Sequence, residues 1–293
     1  GLGDVYKRQH LTFLFAGWCL MGSLVVIARG LGMGRTASAC TGVIIALAPP
    51  VVLFQHWFFY DFPMAVLVTM SIAAFVVWAR ERTARWAATT MILGTAVVLT
   101  RSMFHPLWLI GMAAILLIAW LPKGKQWRTA MAALGIPLVL VASLMLKNQI
   151  LFGTPQLSSW YGFNLYRTTV LSRTPEVREA WQTKYDLPSV NPDLSCAPPH
   201  PDVPVLAEQF KSDGSPNWNW ECVLPHFQNL EKASYKVVRA EPGEVALGVL
   251  GSIEIWFSTT DLWVGVSPRL SEVEPASRIW RHLVGWDVVW TPP

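Results

Sequence analysis

Asp61 sits alone in Phe59-Tyr60-Asp61-Phe62-Pro63, a carboxylate at the mouth of a long apolar run. An acid at such a boundary is costly unless it is paired or used. It can hold a divalent metal, position an acceptor hydroxyl or act as a base. It also reads as a helix N-cap, because Asp followed shortly by Pro is a common start signal. The two readings are compatible, since a cap would fix the carboxylate at the boundary. Thr100-Arg101-Ser102-Met103-Phe104-His105-Pro106 forms a second polar turn. The guanidinium of Arg101 suits bidentate bonding to phosphate, with His105 as a second donor. The plainer reading is an arginine snorkelling to a lipid headgroup beside a solvated imidazole. His56 and Lys147 repeat the theme more weakly. A third polar stretch runs from Lys147 to Pro155 and on through Ser158-Ser159-Trp160-Tyr161-Gly162-Phe163-Asn164. Trp160 and Tyr161, with Phe163, can stack on sugar faces, line a lipid groove or anchor an interface. An acid, cations and aromatics together suit a reaction on a lipid-linked phosphorylated donor.

The elements that must position these groups are apolar runs, at about Leu11–Ala28, Ala39–Phe54, Phe62–Ala79, Trp86–Leu99, Pro106–Leu121 and Thr129–Leu146. A helix needs about 20 residues to cross a bilayer, with a range of roughly 17–25. Most runs reach the lower end of that range, and Trp86–Leu99 must borrow residues toward Met103. Hydrophobic residues make up 53% of the chain, and the mean hydropathy of +0.37 alone leaves room for a large soluble helical core. The run interiors lack charge, however, and no run carries the polar stripe of a soluble surface helix. The expected fold class is therefore all-α, a polytopic transmembrane helical domain of six helices over residues 10–147, followed by a helix-and-loop region over residues 148–293.

Basic residues set the orientation. Arg29 and Arg35, then Arg80, Arg82 and Arg85, then Lys123, Lys125 and Arg128 occupy alternate turns, and the opposite turns hold only Arg101 and Lys147. Basic turns stay in the cytoplasm during insertion. Asp61, Arg101 and His105 are thus expected outside, with everything after Lys147. The expected location is a bacterial inner (cytoplasmic) membrane. Many of the 16 Trp lie near run ends, where indoles favour the headgroup region. The net charge of +4 is spread over these turns, with no compact stripe for a phosphate backbone, so no nucleic-acid partner is expected.

The second half is polar and Pro-rich over Leu187–Leu206. Pro175–Tyr185 and His226–Ala240 have helical composition, with Pro242 interrupting the second pattern. Glu244–Phe257 reads as an interfacial or buried helix. Of the four cysteines, Cys19 and Cys40 read as packing residues of membrane helices. Cys196 and Cys222 fall where disulfides persist, and spacing leaves their pairing open. No Cys/His spacing matches a zinc site. Gly1–Gln9 reads as a translated sequencing-adapter scar, and the chain is expected to be a fragment cut at both ends.

The acid-x-Pro turn at Asp61, the Thr-Arg-Ser…His-Pro turn at 100–106 and the Lys-Asn…Phe-Gly-Thr-Pro exit at 147–155 resemble multispanning GT-C glycosyltransferases. The kin are bacterial relatives of protein mannosyltransferases and aminoarabinose transferases. The resemblance covers about Leu11–Asn164. It implies an inverting transfer from a polyprenyl-phosphate-linked sugar donor, held in membrane lipid, to a glycan, lipid or protein acceptor. Asp61 falls at the family's second acidic position, with Mg or Mn as a divalent metal it could help hold. Arg101, His105, His56, Lys147, Trp160 and Tyr161 would bind substrate. The family's principal acid lies in an outer loop that would precede His10, so the fragment as it stands is expected to be inactive. The competing class is a non-catalytic multispanning protein, a transporter or a cell-envelope assembly subunit. Such a transporter should break helices or place charge near mid-membrane, and Pro137 and Gly94 are the candidates.

Overall fold

A computed structural model describes residues 2–56, 61–100, 104–120, 127–191, 196–218, 220–257, 274–275, 278–279 and 282. Among them the architecture is all-α, with twelve α-helices. The chain divides into two compact units, one of residues 1–147 with 258–293 and one of Asn148–Phe257.

The first unit opens with α1, Leu2–Gly30. It continues with α2, Arg35–Ala46, α3, Pro49–His56, α4, Asp61–Glu81, α5, Ala84–Thr100, and α6, Leu107–Trp120. The next helix, α7, spans Trp127–Phe152 and stays unbroken through Pro137. Lys7–Gly30, Asp61–Glu81 and Met131–Phe152 are long and apolar enough to cross a membrane. Helices α5 and α6 are apolar but shorter, at 17 and 14 residues. The outward faces are as apolar as the inward ones: Ile92, Ile115, Ile118 and Ile136 are all more than half exposed. A water-facing helix would put charges there. These features mark a membrane protein.

Small residues set the helix contacts. A Cβ on Gly30 would lie 2.2 Å from Val76 Cγ1, and Phe13 stacks on Phe62 at 5.8 Å. Residues 13 to 30 of α1 therefore track 62 to 76 of α4, and the two helices run parallel. Arg80 Nη2 donates to the carbonyls of Arg29 at 2.6 Å and Gly30 at 3.1 Å, satisfying C-terminal acceptors that α1 cannot satisfy itself. Gly94 of α5 meets Met112 and Leu109, and Arg82 Nη1 donates to Ala119 O at 3.3 Å. These contacts make α6 antiparallel to α5.

The second apolar run departs from expectation. It is two helices, parted at Leu47-Ala48. Pro49 and Pro50 have no N–H to offer the carbonyls of Ile45 and Ala46, and Ala48 N bonds Ile45 O instead at 3.1 Å. The two pieces still travel together along α1. Gly42 lies against Met21 and Val25, and Gln55 lies against Gly17.

The second unit contains α8, Tyr161–Tyr166, which widens into a π-helical turn, Arg167–Leu171. Next come α9, Pro175–Tyr185, α10, Pro204–Ala207, α11, Val223–Ala240, and α12, Pro242–Phe257. Tyr166, Trp181, Trp220, Phe227, Leu230 and Val237 centre its core. A Cβ on Gly162 would lie 1.9 Å from Phe227 O, so α8 and α11 touch backbone to backbone. Cys196 and Cys222 form a disulfide, with Cα atoms 6.0 Å apart. Cys222 is buried in that core and Cys196 packs against it, which settles the pairing left open by spacing. Asn217 Nδ2 donates to Val205 O at 2.9 Å and Glu208 O at 2.7 Å, ordering the loop around α10.

Candidate functional site

Asp61 is the first residue of α4, where unpaired backbone N–H groups and the helix dipole favour a carboxylate. The His56 ring, at the C-terminal end of α3, lies 5.2 Å from the His10 ring. Phe62 follows Asp61 directly and stacks on Phe13 of α1. His56 and Asp61 are thus on one end of the first unit. The α4–α5 and α5–α6 reversals return the Thr100 and His105 ends of the chain to that same end. His105 Nδ1 accepts from Leu107 N at 3.3 Å. That bond places the neutral ring's proton on Nε2, and burial lowers the imidazole's proton affinity, favouring the neutral form. Arg101 lies outside the described residues. Lys147 is exposed near the end of α7.

The opposite end carries the arginines. Arg80 binds the α1 carbonyls. Arg82 lies 4.5 Å over the Trp78 ring, and Arg85 lies 5.6 Å over that of Trp86. Lys123 and Lys125, expected at this end, lie outside the described residues.

Between α4, α5 and α6 runs an apolar groove of about 610 Å³, lined by Val68, Ile72, Phe75, Gly94, Met112 and Ile115. Phe104 and Trp108, flanking His105, line it as well. Its chemistry suits a hydrocarbon chain. Among the described residues no three His, Cys, Asp or Glu side chains gather closely enough to hold a metal.

In the second unit Trp160 packs on Trp218 at 4.6 Å and on Phe227 at 5.4 Å. Trp218 is half exposed, so the pair offers an aromatic face to solvent. Tyr161 Oη lies 3.1 Å from Tyr235 Oη, and Tyr235 also bonds Glu231. Gln156 Nε2 donates to Glu231 Oε1 at 2.9 Å, and Asn148 Nδ2 holds Gln156 through its carbonyl at 2.7 Å. Burial raises the Glu231 carboxyl above its ordinary range, opposed by the bonds from Gln156 and Tyr235. Burial, then the Tyr235 bond, raises the Tyr161 hydroxyl. With Glu231 ionised, Tyr235 donates to it and Tyr161 donates to Tyr235, an ordered run of hydroxyls ending at a carboxylate that can take a proton.

The helical composition of 226–240 marks a helix there and does not single out Glu231. The available signal was Glu231 and Tyr235 four residues apart on one helix face. No protein family, curated protein or solved structure matches the chain.

Proposed function

We propose that this chain belongs to a membrane glycosyltransferase that moves a sugar from a polyprenyl-phosphate donor to a glycan, lipid or protein acceptor. The reaction is assigned to the extracytoplasmic face of a bacterial inner membrane. The carrying observation is the division of the first unit, with Asp61, His56 and the His105 turn at one end and Arg29, Arg80, Arg82 and Arg85 at the other. The arginine end belongs in the cytoplasm by the insertion rule, which leaves the acidic end outside. The Cys196–Cys222 bond agrees, because disulfides persist outside the cytoplasm.

In this reading the isoprenoid tail lies in the groove of α4, α5 and α6, with its phosphate beside Arg101 and His105. A base takes the proton of the acceptor hydroxyl, whose oxygen attacks the anomeric carbon from the face opposite the phosphate. The bond from that carbon to the phosphate oxygen breaks, and polyprenyl phosphate leaves. Arg101 offsets its charge, and preorganised donors of this kind are often the largest catalytic term. Asp61 orients the acceptor hydroxyl or serves as the base. In vesicles carrying the complete gene product, Arg101→Ala and Asp61→Asn should each lower transfer of labelled sugar by about 100-fold or more, with expression unchanged. Full transfer by either variant removes that residue from the site.

One observation favours a second reading. The break between α2 and α3 lies within an apolar run, and transporters build binding sites from such discontinuous helices. Proteoliposomes separate the two. Transfer without solute uptake supports the transferase, and uptake without transfer supports a carrier.

A further inference from the structure

The second unit holds a cavity of about 420 Å³ between the π-helical turn, α9 and the 188–191 segment, within the range of about 300–1,000 Å³ common to small-molecule sites. Its wall is built rather than slack. Tyr166 Oη donates to Pro188 O at 3.2 Å, Gln182 Nε2 donates to Leu187 O at 3.4 Å, and His226 Nε2 lies 2.9 Å from Val190 O. Asn191 N closes on Ser189 Oγ at 3.2 Å. The opposing wall is the π-helical turn, an irregularity that recurs at functional sites. Arg178 lines the cavity, and its Nε is buried without a hydrogen-bond partner among the described residues. A buried donor left unmade is unfavourable, and a guanidinium edge with an unused Nε–H matches a carboxylate.

We infer that this cavity binds a small hydroxylated acid of monosaccharide size, a sugar acid, with its carboxylate on Arg178. Glu179, Gln182, Ser189 and Asn191 line the same space and supply acceptors and donors for ring hydroxyls. Val170 and Val190 give the apolar contact that a sugar face prefers. The site lies wholly within the second unit and does not depend on the transfer chemistry proposed above.

The test is calorimetric titration of the purified full chain in detergent with glucuronate and with glucose. Glucuronate should bind saturably and at least tenfold more tightly than glucose. Arg178→Gln should abolish that preference, bringing glucuronate down to the level of glucose. Asn191→Ala should weaken both sugars several-fold while keeping the preference, and it decides the matter if Arg178→Gln does not fold. Absent saturable glucuronate binding, equal binding of both sugars, a preference that survives Arg178→Gln, or full affinity in Asn191→Ala overturns the inference.

Discussion

Glu231 shows how much a single side chain owes to its surroundings. Its folded carboxyl holds a proton to higher pH than the ordinary value of 4.5, chiefly through burial. A group raised in this way favours the folded state fully below its unfolded pKa, and that contribution is lost as pH rises through the folded value. Glu231→Gln keeps an acceptor for Gln156 and mimics the protonated form. The variant should therefore hold its unfolding midpoint as pH climbs from about 4.5 toward neutrality, while the parent protein loses stability relative to it. Parallel thermal melts across that window check this, and identical slopes would defeat it. Asp61, Trp160 and Tyr161 were legible from the sequence because each interrupts a pattern: an acid beside an apolar run, or aromatics just past one. Glu231 interrupts nothing. Its neighbours Gln156 and Tyr161 arrive from some 70 positions away in the chain, and helical periodicity does not report such contacts.

At the scale of elements, α8 and α11 depend on one missing methyl group. Gly162→Ala would drive a Cβ into the Phe227 carbonyl, and backbone cannot move aside as a flexible side chain can. The change should cost about 1–3 kcal/mol or more, lower the unfolding midpoint of the second unit and part Tyr161 from Tyr235. Denaturant titration measures the first effect, and the environment of the two tyrosine rings by NMR measures the second. Helix α9 was legible to the residue, because Pro175 opens it at a position where a missing N–H costs nothing and Tyr185 closes its pattern. Pro242 likewise marks the joint between α11 and α12. The Ala39–Phe54 run reads as one helix and folds as two, since hydropathy registers side chains and the break arises from backbone donors that Pro49 and Pro50 lack. The reverse error threatened at Pro137, which α7 absorbs without interruption.

Over the whole molecule, the sorting of charge between the two ends of the first unit makes a topological prediction. In a Cys19→Ser, Cys40→Ser background, Ser158→Cys should react with a membrane-impermeant maleimide on intact cells. Thr83→Cys, in the arginine turn, should react only after the membrane is opened. The opposite pattern would invert the orientation and remove the support for an outward-facing site. The second unit is small and loop-rich, so its crosslink matters. With its cysteines 26 positions apart, the chain-entropy relation gives about 3.5 kcal/mol of stabilisation. Cys196→Ser with Cys222→Ser should lower stability by about that amount in chemical unfolding, and added reductant should reproduce the loss in the parent protein. Charge alternation made the first unit's layout legible, whereas the closing of residues 196–222 was not, because cysteine spacing carries no geometry.

That crosslink also gives the polypeptide a memory of its journey. Cys222 immediately precedes α11 and is buried among the residues that α11 packs upon, so the bond ties the loop at 196 to the start of that helix. On the outward orientation proposed above, a copy inserted the other way up would keep both thiols reduced and lose the stabilisation the bond gives its second unit. Oxidation state would then separate the two orientations in a living cell, with no reporter attached.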